Sequence, residues 1–228
     1  MSLVISDKKD RETIREYVYR TLCDNILNMN LVPGTALSEQ EIASMLSISR
    51  TPVREAFIRL SQDALLEILP QRGTYVAPID LSEVAESRFL RETLELSVMK
   101  LACTDFPKSF LDRLHDCLDI QESIVQKENY KKFFELDWIM HGMIFEGCDK
   151  NRIWKIIKQA SMNYNRVRVL NLTDGYYELP LLFQQHQQIV EAIEKNNIEL
   201  GEFVISKHIG KVSDDIEELK KLHCGYFK

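Results

Sequence analysis

In "YKKFFELDWIMHGMIFEGC", residues 130–148, Phe133, Phe134, Met140, Ile144 and Phe145 recur at helical spacing, and Asp137 and His141 fall on the same stripe, four residues apart. His186 interrupts the apolar set Leu182, Phe183, Ile189, Val190 and Ile193, while His208 interrupts Leu200, Val204, Val212 and Ile216. One carboxylate and three imidazoles from three helices thus project where apolar side chains belong. Taken singly, each reads as a hydrogen-bonded core residue. Together they carry more weight, because unpaired burial is costly and one shared divalent cation would satisfy all four. This donor set suits Zn²⁺ first, with Ni²⁺, Mn²⁺ or Fe²⁺ also compatible, and leaves one or two positions for water or an anion. An open metal site can activate water, which keeps a metal-dependent hydrolase in view. No general base or nucleophile accompanies these residues, so the expectation is not an enzyme. His115 and His223 lie in charged surroundings ("DRLHDCL", "KKLHCGY") and read as solvated.

A second chemistry is written in "SRTPVREAFIRL", residues 49–60. Val53, Phe57 and Leu60 make a buried stripe, and Arg50 and Arg54 project together from the opposite side. A helix with hydroxyl and guanidinium groups at its N-terminal end suits a DNA major groove, where it meets phosphates and the O6 and N7 acceptors of guanine. Ser49, Arg50, Thr51 and Arg54 would face the groove, and Arg72 could enter the neighbouring minor groove. Solvated arginines on a surface helix would be the reading if Arg50 and Arg54 stood alone.

The elements around these residues decide between the readings. A helix from about residue 10 to 29 ends at Pro33 and Gly34. Ser38 and Glu41 have capping-box spacing for a short second helix. Ser49 can cap a third, whose first turn tolerates Pro52. "LLEILP" and "TYVAPI" then read as two strands joined by a turn containing Gly73. Three helices followed by a hairpin is the layout of a winged helix-turn-helix, over residues 1–78. Residues 79–228 read as an all-helical bundle. Asp80 with Glu83 starts a helix to about 103, Pro107 sits as a first-turn proline, and further helices cover 107–127, 130–147, 151–170, 179–195 and 198–221. The fold class is mainly α.

Composition agrees. The chain of 228 residues is 45% hydrophobic and 28% charged, with a formal net charge of −6. Residues 1–78 hold 9 Lys+Arg against 10 Asp+Glu, and the rest hold 20 against 25, so the acidity belongs mostly to the second part. A local basic face can still bind nucleic acid, because screening limits charge interactions to about 10 Å at 0.1 M salt. No apolar run reaches the length of a membrane span, and the N-terminus lacks a signal peptide's apolar core. The five cysteines have no C-x-x-C pair and read as reduced thiols of a cytoplasmic protein.

The stretch from "LSEQEIASML" through "SRTPVREA" to "RGTYV" resembles the DNA-binding domain of the GntR family of bacterial transcription regulators, over roughly residues 10–78. That resemblance implies operator contacts by Arg50 and Arg54, assisted by Thr51 and Ser49, with Arg72 and Gly73 at the wing tip. Gln40 stands where many members have arginine, and Ala64 replaces a common glycine, which predicts a reshaped turn into the first strand. Residues 80–220 resemble the FCD effector-binding domain of the FadR-like branch, through "RETLE", Asp137 with His141, "QQHQQIV" and "SKHI". By that resemblance Asp137, His141, His186 and His208 are metal ligands, and Arg91, with Arg88 beside it, reaches the effector pocket. On spacing alone Arg91 is an i, i+4 partner of Glu95. The implied protein is a metabolite-responsive regulator, most simply a repressor, that binds double-stranded operator DNA and a small carboxylate. A DNA-binding protein with a purely structural metal is the alternative. One recognition helix reads few base pairs, so two half-sites and a homodimer are expected.

Overall fold

Thr13 starts the first helix. Its hydroxyl accepts from the Glu16 amide at 3.2 Å, and the Glu16 carboxylate accepts from the Thr13 amide at 2.9 Å, a reciprocal capping box that satisfies two helix-end donors. The computed structural model describes residues 3–174, 178–211 and 216–228. Among them run α1 (Ile14–Leu27), β1 (Ala36–Leu37), α2 (Glu39–Met45), α3 (Arg50–Gln62), β2 (Leu66–Leu69), β3 (Gly73–Val76), α4 (Leu81–Ala102), α5 (Lys108–Gln126), α6 (Tyr130–Gly147), α7 (Asn151–Ala160), α8 (Met162–Thr173), α9 (Leu179–Glu194), α10 (Ile198–Gly210) and α11 (Ile216–Leu222).

The chain divides into two compact units. The first comprises Met1–Leu81, Asn165–Leu170 and Glu217–Lys228. In it Val18, Leu22 and Ile26 of α1 are buried, as are Val53, Ala56, Phe57 and Leu60 of α3. The three antiparallel strands are ordered β1-β3-β2, with Leu66 opposite Val76 and Leu69 opposite Gly73. The two-residue β1 was not foreseen; it pairs Ala36 with Tyr75 and Leu37 with Thr74. Ser38 and Ser49 take the N-cap positions of α2 and α3, but neither hydroxyl makes a capping bond, so the expected Ser38–Glu41 box is not formed. Residues 77–81 are bound within this unit. Phe227 pairs with Ile79 in a parallel bridge, and buried Arg166 donates from Nη2 to the Ala77 carbonyl at 2.7 Å.

Ala64 closes α3, as Ser47, Asp149 and Asn196 close other helices of the chain. It takes a left-handed backbone, φ +55°. Its amide bonds the Ser61 carbonyl at 3.2 Å, and the Leu65 amide bonds Leu60 at 2.8 Å. That pair of bonds is a Schellman motif, whose left-handed position normally falls to glycine. The turn keeps the glycine geometry, and the alanine carries the strain.

The second unit comprises Ser82–Tyr164 and Asn171–Ile216. Its apolar core includes Val98, Met140, Ile144, Ile157, Ile189, Val204 and Ile209. The single helix expected over 151–170 is divided at Ser161, whose backbone (φ −99°, ψ 21°) ends α7. Ser87 Oγ takes the Ala160 carbonyl at 2.5 Å, which gives this helix end a partner outside its own ladder. Pro107 is the N-cap of α5 and not part of its first turn. The expected helix over 198–221 appears as α10 and α11, and Val212 lies outside the described residues.

Candidate functional site

The spacing that marked Asp137 and His141 places them one turn apart on the buried side of α6, while α9 supplies His186 and α10 supplies His208. All four are almost wholly buried. Asp137 Oδ1 lies 3.2 Å from His186 Nε2, 3.3 Å from His208 Nε2 and 3.9 Å from His141 Nε2. The Nε2 atoms of His141 and His208 are 3.3 Å apart, and one ligand atom from each of the four residues lies within 4.8 Å of the others. Bonds of about 2.0–2.2 Å to one ion would separate neighbouring ligand atoms by about 3–3.6 Å. The observed cluster needs only small closing movements to reach that.

The far side of each ring fixes what the near side offers. His141 Nδ1 meets Glu95 Oε2 at 2.5 Å, His186 Nδ1 meets Gln121 Oε1 at 2.7 Å, and His208 Nδ1 meets Gln185 Oε1 at 3.0 Å. Gln121 is oriented by its Nε2, which faces Cys117 Sγ and Met140 Sδ and leaves the carbonyl for His186. All three partners offer an acceptor to Nδ1, and each ring turns its Nε2 inward toward Asp137, where a metal would need that nitrogen's lone pair. Burial pushes His208 down to about 3, against the pull of Asp137, which keeps it neutral. The His141 and His208 Nε2 atoms, 3.3 Å apart, share the space in front of Asp137. A cation held there would use all four ligand atoms at once.

Arg91 is also buried. Its Nε donates to Glu95 Oε1 at 2.8 Å, and its guanidinium carbon lies 4.8 Å from the Trp138 ring centroid and 5.0 Å from that of Tyr164. Burial alone would raise the Glu95 carboxyl, but Arg91 and His141 outweigh it and hold the group down at about 2. Arg91 Nη2 is buried with no hydrogen-bond acceptor among the described residues. Arg88 is half-buried and, among the described residues, joins the cluster through no hydrogen bond or ion pair. His115 is exposed, 3.8 Å from Glu194.

Three residues of this site escaped the sequence reading. Gln121 was findable by the signal that exposed Asp137, since it takes the next place in the buried series Leu114, Cys117 and Leu118. Gln185, between Leu182 and Ile189, and Glu95, between Arg91 and Val98, lie on buried stripes in the same way, although spacing paired Glu95 only with Arg91.

In the first unit, Ser49, Arg50, Thr51, Arg54, Arg72 and Gly73 are all exposed, with the apolar stripe of α3 behind the first four. Arg50 Nη2 lies 3.4 Å from Glu39 Oε2, and Arg54 has no ion-pair partner among the described residues. Arg72 sits in the three-residue loop between β2 and β3, where its carbonyl accepts from the Tyr75 hydroxyl at 2.8 Å. Gly73 opens β3 at φ +112°, a backbone that favours glycine.

The family model for bacterial regulatory proteins, gntR family, matches residues 14–76, and that for the FCD domain matches residues 86–211. The HTH-type transcriptional repressor RspR of Escherichia coli is 29% identical over 216 residues, covering 95% of this chain and 94% of its own. An HTH-type transcriptional regulator of Streptomyces ambofaciens, in an unstable DNA locus, is 31% identical over 91% of this chain and 87% of its own. The solved structure of Escherichia coli McbR/YncC superposes with a TM-score of 0.76 at 19% identity, over 92% of this chain and 98% of that one, which is a likeness of fold. Matched domains and relatives alike are those of DNA-binding transcription regulators and not of enzymes. The chain belongs to the GntR family of bacterial transcription regulators and joins a helix-turn-helix reading head to an FCD domain.

Proposed function

We propose that this regulator is a metabolite-responsive repressor of the FadR-like branch, active in the cytoplasm as a homodimer. In this reading residues 1–78 read DNA and residues 79–228 bind effector and form the dimer. Asp137, His141, His186 and His208 hold one divalent ion, Zn²⁺ first, with Ni²⁺, Mn²⁺ or Fe²⁺ as alternatives. The observation that carries the metal is the convergence of three Nε2 atoms on Asp137, with an acceptor behind each ring to take the Nδ1 proton. The ion supplies a Lewis-acidic position for an anion.

A small carboxylate suits that position, with the unsatisfied Nη2 donor of Arg91 as a second contact and Arg88 near it in sequence. That donor favours a regulatory ligand over a purely structural metal. On the DNA side Ser49, Arg50, Thr51 and Arg54 face the major groove, and Arg72 with Gly73 forms the wing tip. The repressor sense is supported by the name of the RspR relative. A carboxylate weakens operator binding only as far as it prefers the arrangement that binds DNA poorly.

Two measurements test the reading. Thermal shift of the Zn²⁺-loaded protein against a panel of small carboxylates should find one that stabilises wild type and not Arg91→Ala. Footprinting with a solution mass should give a two-fold operator and twice the chain mass. A monomer on a single half-site, or a panel whose effects ignore Arg91, contradicts it.

A further inference from the structure

We propose that Glu95 is the positioning residue that ties the metal centre to Arg91. The proposal rests on the metal reading above and gives Glu95, which spacing pairs only with Arg91, a part in holding the metal. The two carboxylate oxygens of Glu95 are divided between two tasks. Oε2 receives the His141 Nδ1 proton at 2.5 Å, and Oε1 receives Arg91 Nε at 2.8 Å. All three side chains are almost wholly buried, so no water dilutes either bond.

The three ligand histidines are not supported alike. His186 and His208 donate to the neutral amide oxygens of Gln121 and Gln185, and His141 alone donates to a carboxylate. A charged acceptor makes the shorter and stronger bond, and it raises the electron density at the opposite nitrogen. His141 is therefore the best donor of the three, and Glu95 makes it so. Removing such an outer partner lowers metal affinity by about 10–100-fold in comparable sites.

Arg91 takes part through the same carboxylate. With Nε fixed by Glu95 and the guanidinium against the Trp138 and Tyr164 rings, Nη2 is left with no acceptor among the described residues. Arg91 also draws charge from Glu95 that would otherwise act on His141. Metal affinity therefore depends on Arg91, although Arg91 touches no ligand atom of the ion. Part of the dependence runs through Glu95 and is lost with it; the rest is the direct field of Arg91 on Asp137. By reciprocity, an ion at the cluster changes how strongly Arg91 holds an anion.

The test is a double-mutant cycle on Zn²⁺ affinity, measured by competition against a chromogenic chelator with the full chain stripped of metal. Glu95→Gln should bind Zn²⁺ about 10–100-fold more weakly than wild type. Arg91→Met should bind it several-fold more tightly, and the same change should gain less when made on Glu95→Gln. Melting of the metal-free proteins is recorded alongside, because a merely structural Glu95 would shift that melting and leave Zn²⁺ affinity alone. Glu95→Asp is the second variant, should the amide not fold. It keeps the charge beside Arg91 but draws back from His141, and should also lose about tenfold or more. Equal affinity in either Glu95 variant overturns the proposal, as does an Arg91→Met effect of the same size with and without Glu95. Failure of wild type to take up Zn²⁺, Ni²⁺ or Mn²⁺ overturns the metal reading itself, and this proposal with it.

Discussion

Arg54→Ala and Arg50→Ala should not weaken operator binding equally. A bidentate arginine–guanine contact contributes about 1–3 kcal/mol of discrimination, so loss of Arg54 should weaken the specific complex about 5- to 150-fold. Arg50 starts from a different state, 3.4 Å from Glu39 Oε2 in an exposed pair. Such pairs contribute about 0–1 kcal/mol, which Arg50 gives up on reaching DNA, so Arg50→Ala should cost less by about that amount. Glu39→Gln removes the competing carboxylate and should tighten binding to all DNA. The assay is a fluorescence-anisotropy titration on a site selected from a random pool by wild-type protein, repeated over a salt series. A base contact shows as lost discrimination. A phosphate contact shows as a uniform loss, with the salt slope shallower by about 0.9. A folded Arg50→Ala/Arg54→Ala protein that binds the selected site as wild type does would refute the reasoning.

Ala64→Gly should stabilise the reading head by about 0.5–1 kcal/mol, since glycine takes a left-handed backbone without the alanine penalty; a fall in the urea midpoint contradicts this. His186→Leu should lose metal and the stability that metal confers, about 2.7 kcal/mol when free ion stands at 100 times Kd, while changing the metal-free protein far less. A melting curve that shifts equally with and without ion contradicts that expectation. Lowering the pH should release the ion, because the histidines bind it only when deprotonated, and His115→Ala should leave metal content untouched. Metal analysis after dialysis across a pH series checks both.

Much of this molecule is legible where burial is periodic. Val53, Phe57 and Leu60 announce α3, and the placement of Asp137, His141, His186 and His208 on apolar stripes anticipates their convergence. Breaks made by tertiary contact are not legible. Nothing in "KQASMNY" signals a stop at Ser161, because no glycine or proline stands there and the Ala160 carbonyl finds its partner in Ser87, far away in sequence. The short β1 is equally silent, since two residues carry no alternation. Glu95, Gln121 and Gln185 all lie on buried stripes, so spacing marks them as inward. Which ring each supports is not legible, because that ring is on another helix and helical spacing reports only the neighbours along its own.

Metal content of the gently purified full chain, before and after reconstitution with Zn²⁺, Ni²⁺, Mn²⁺ or Fe²⁺, tests the proposed centre most directly. One ion per chain is expected, lost on Asp137→Asn or His208→Ala and kept on Arg91→Ala. No bound ion under any of these conditions, together with a His186→Leu protein more stable than wild type, would make the cluster ordinary core and contradict the metal centre.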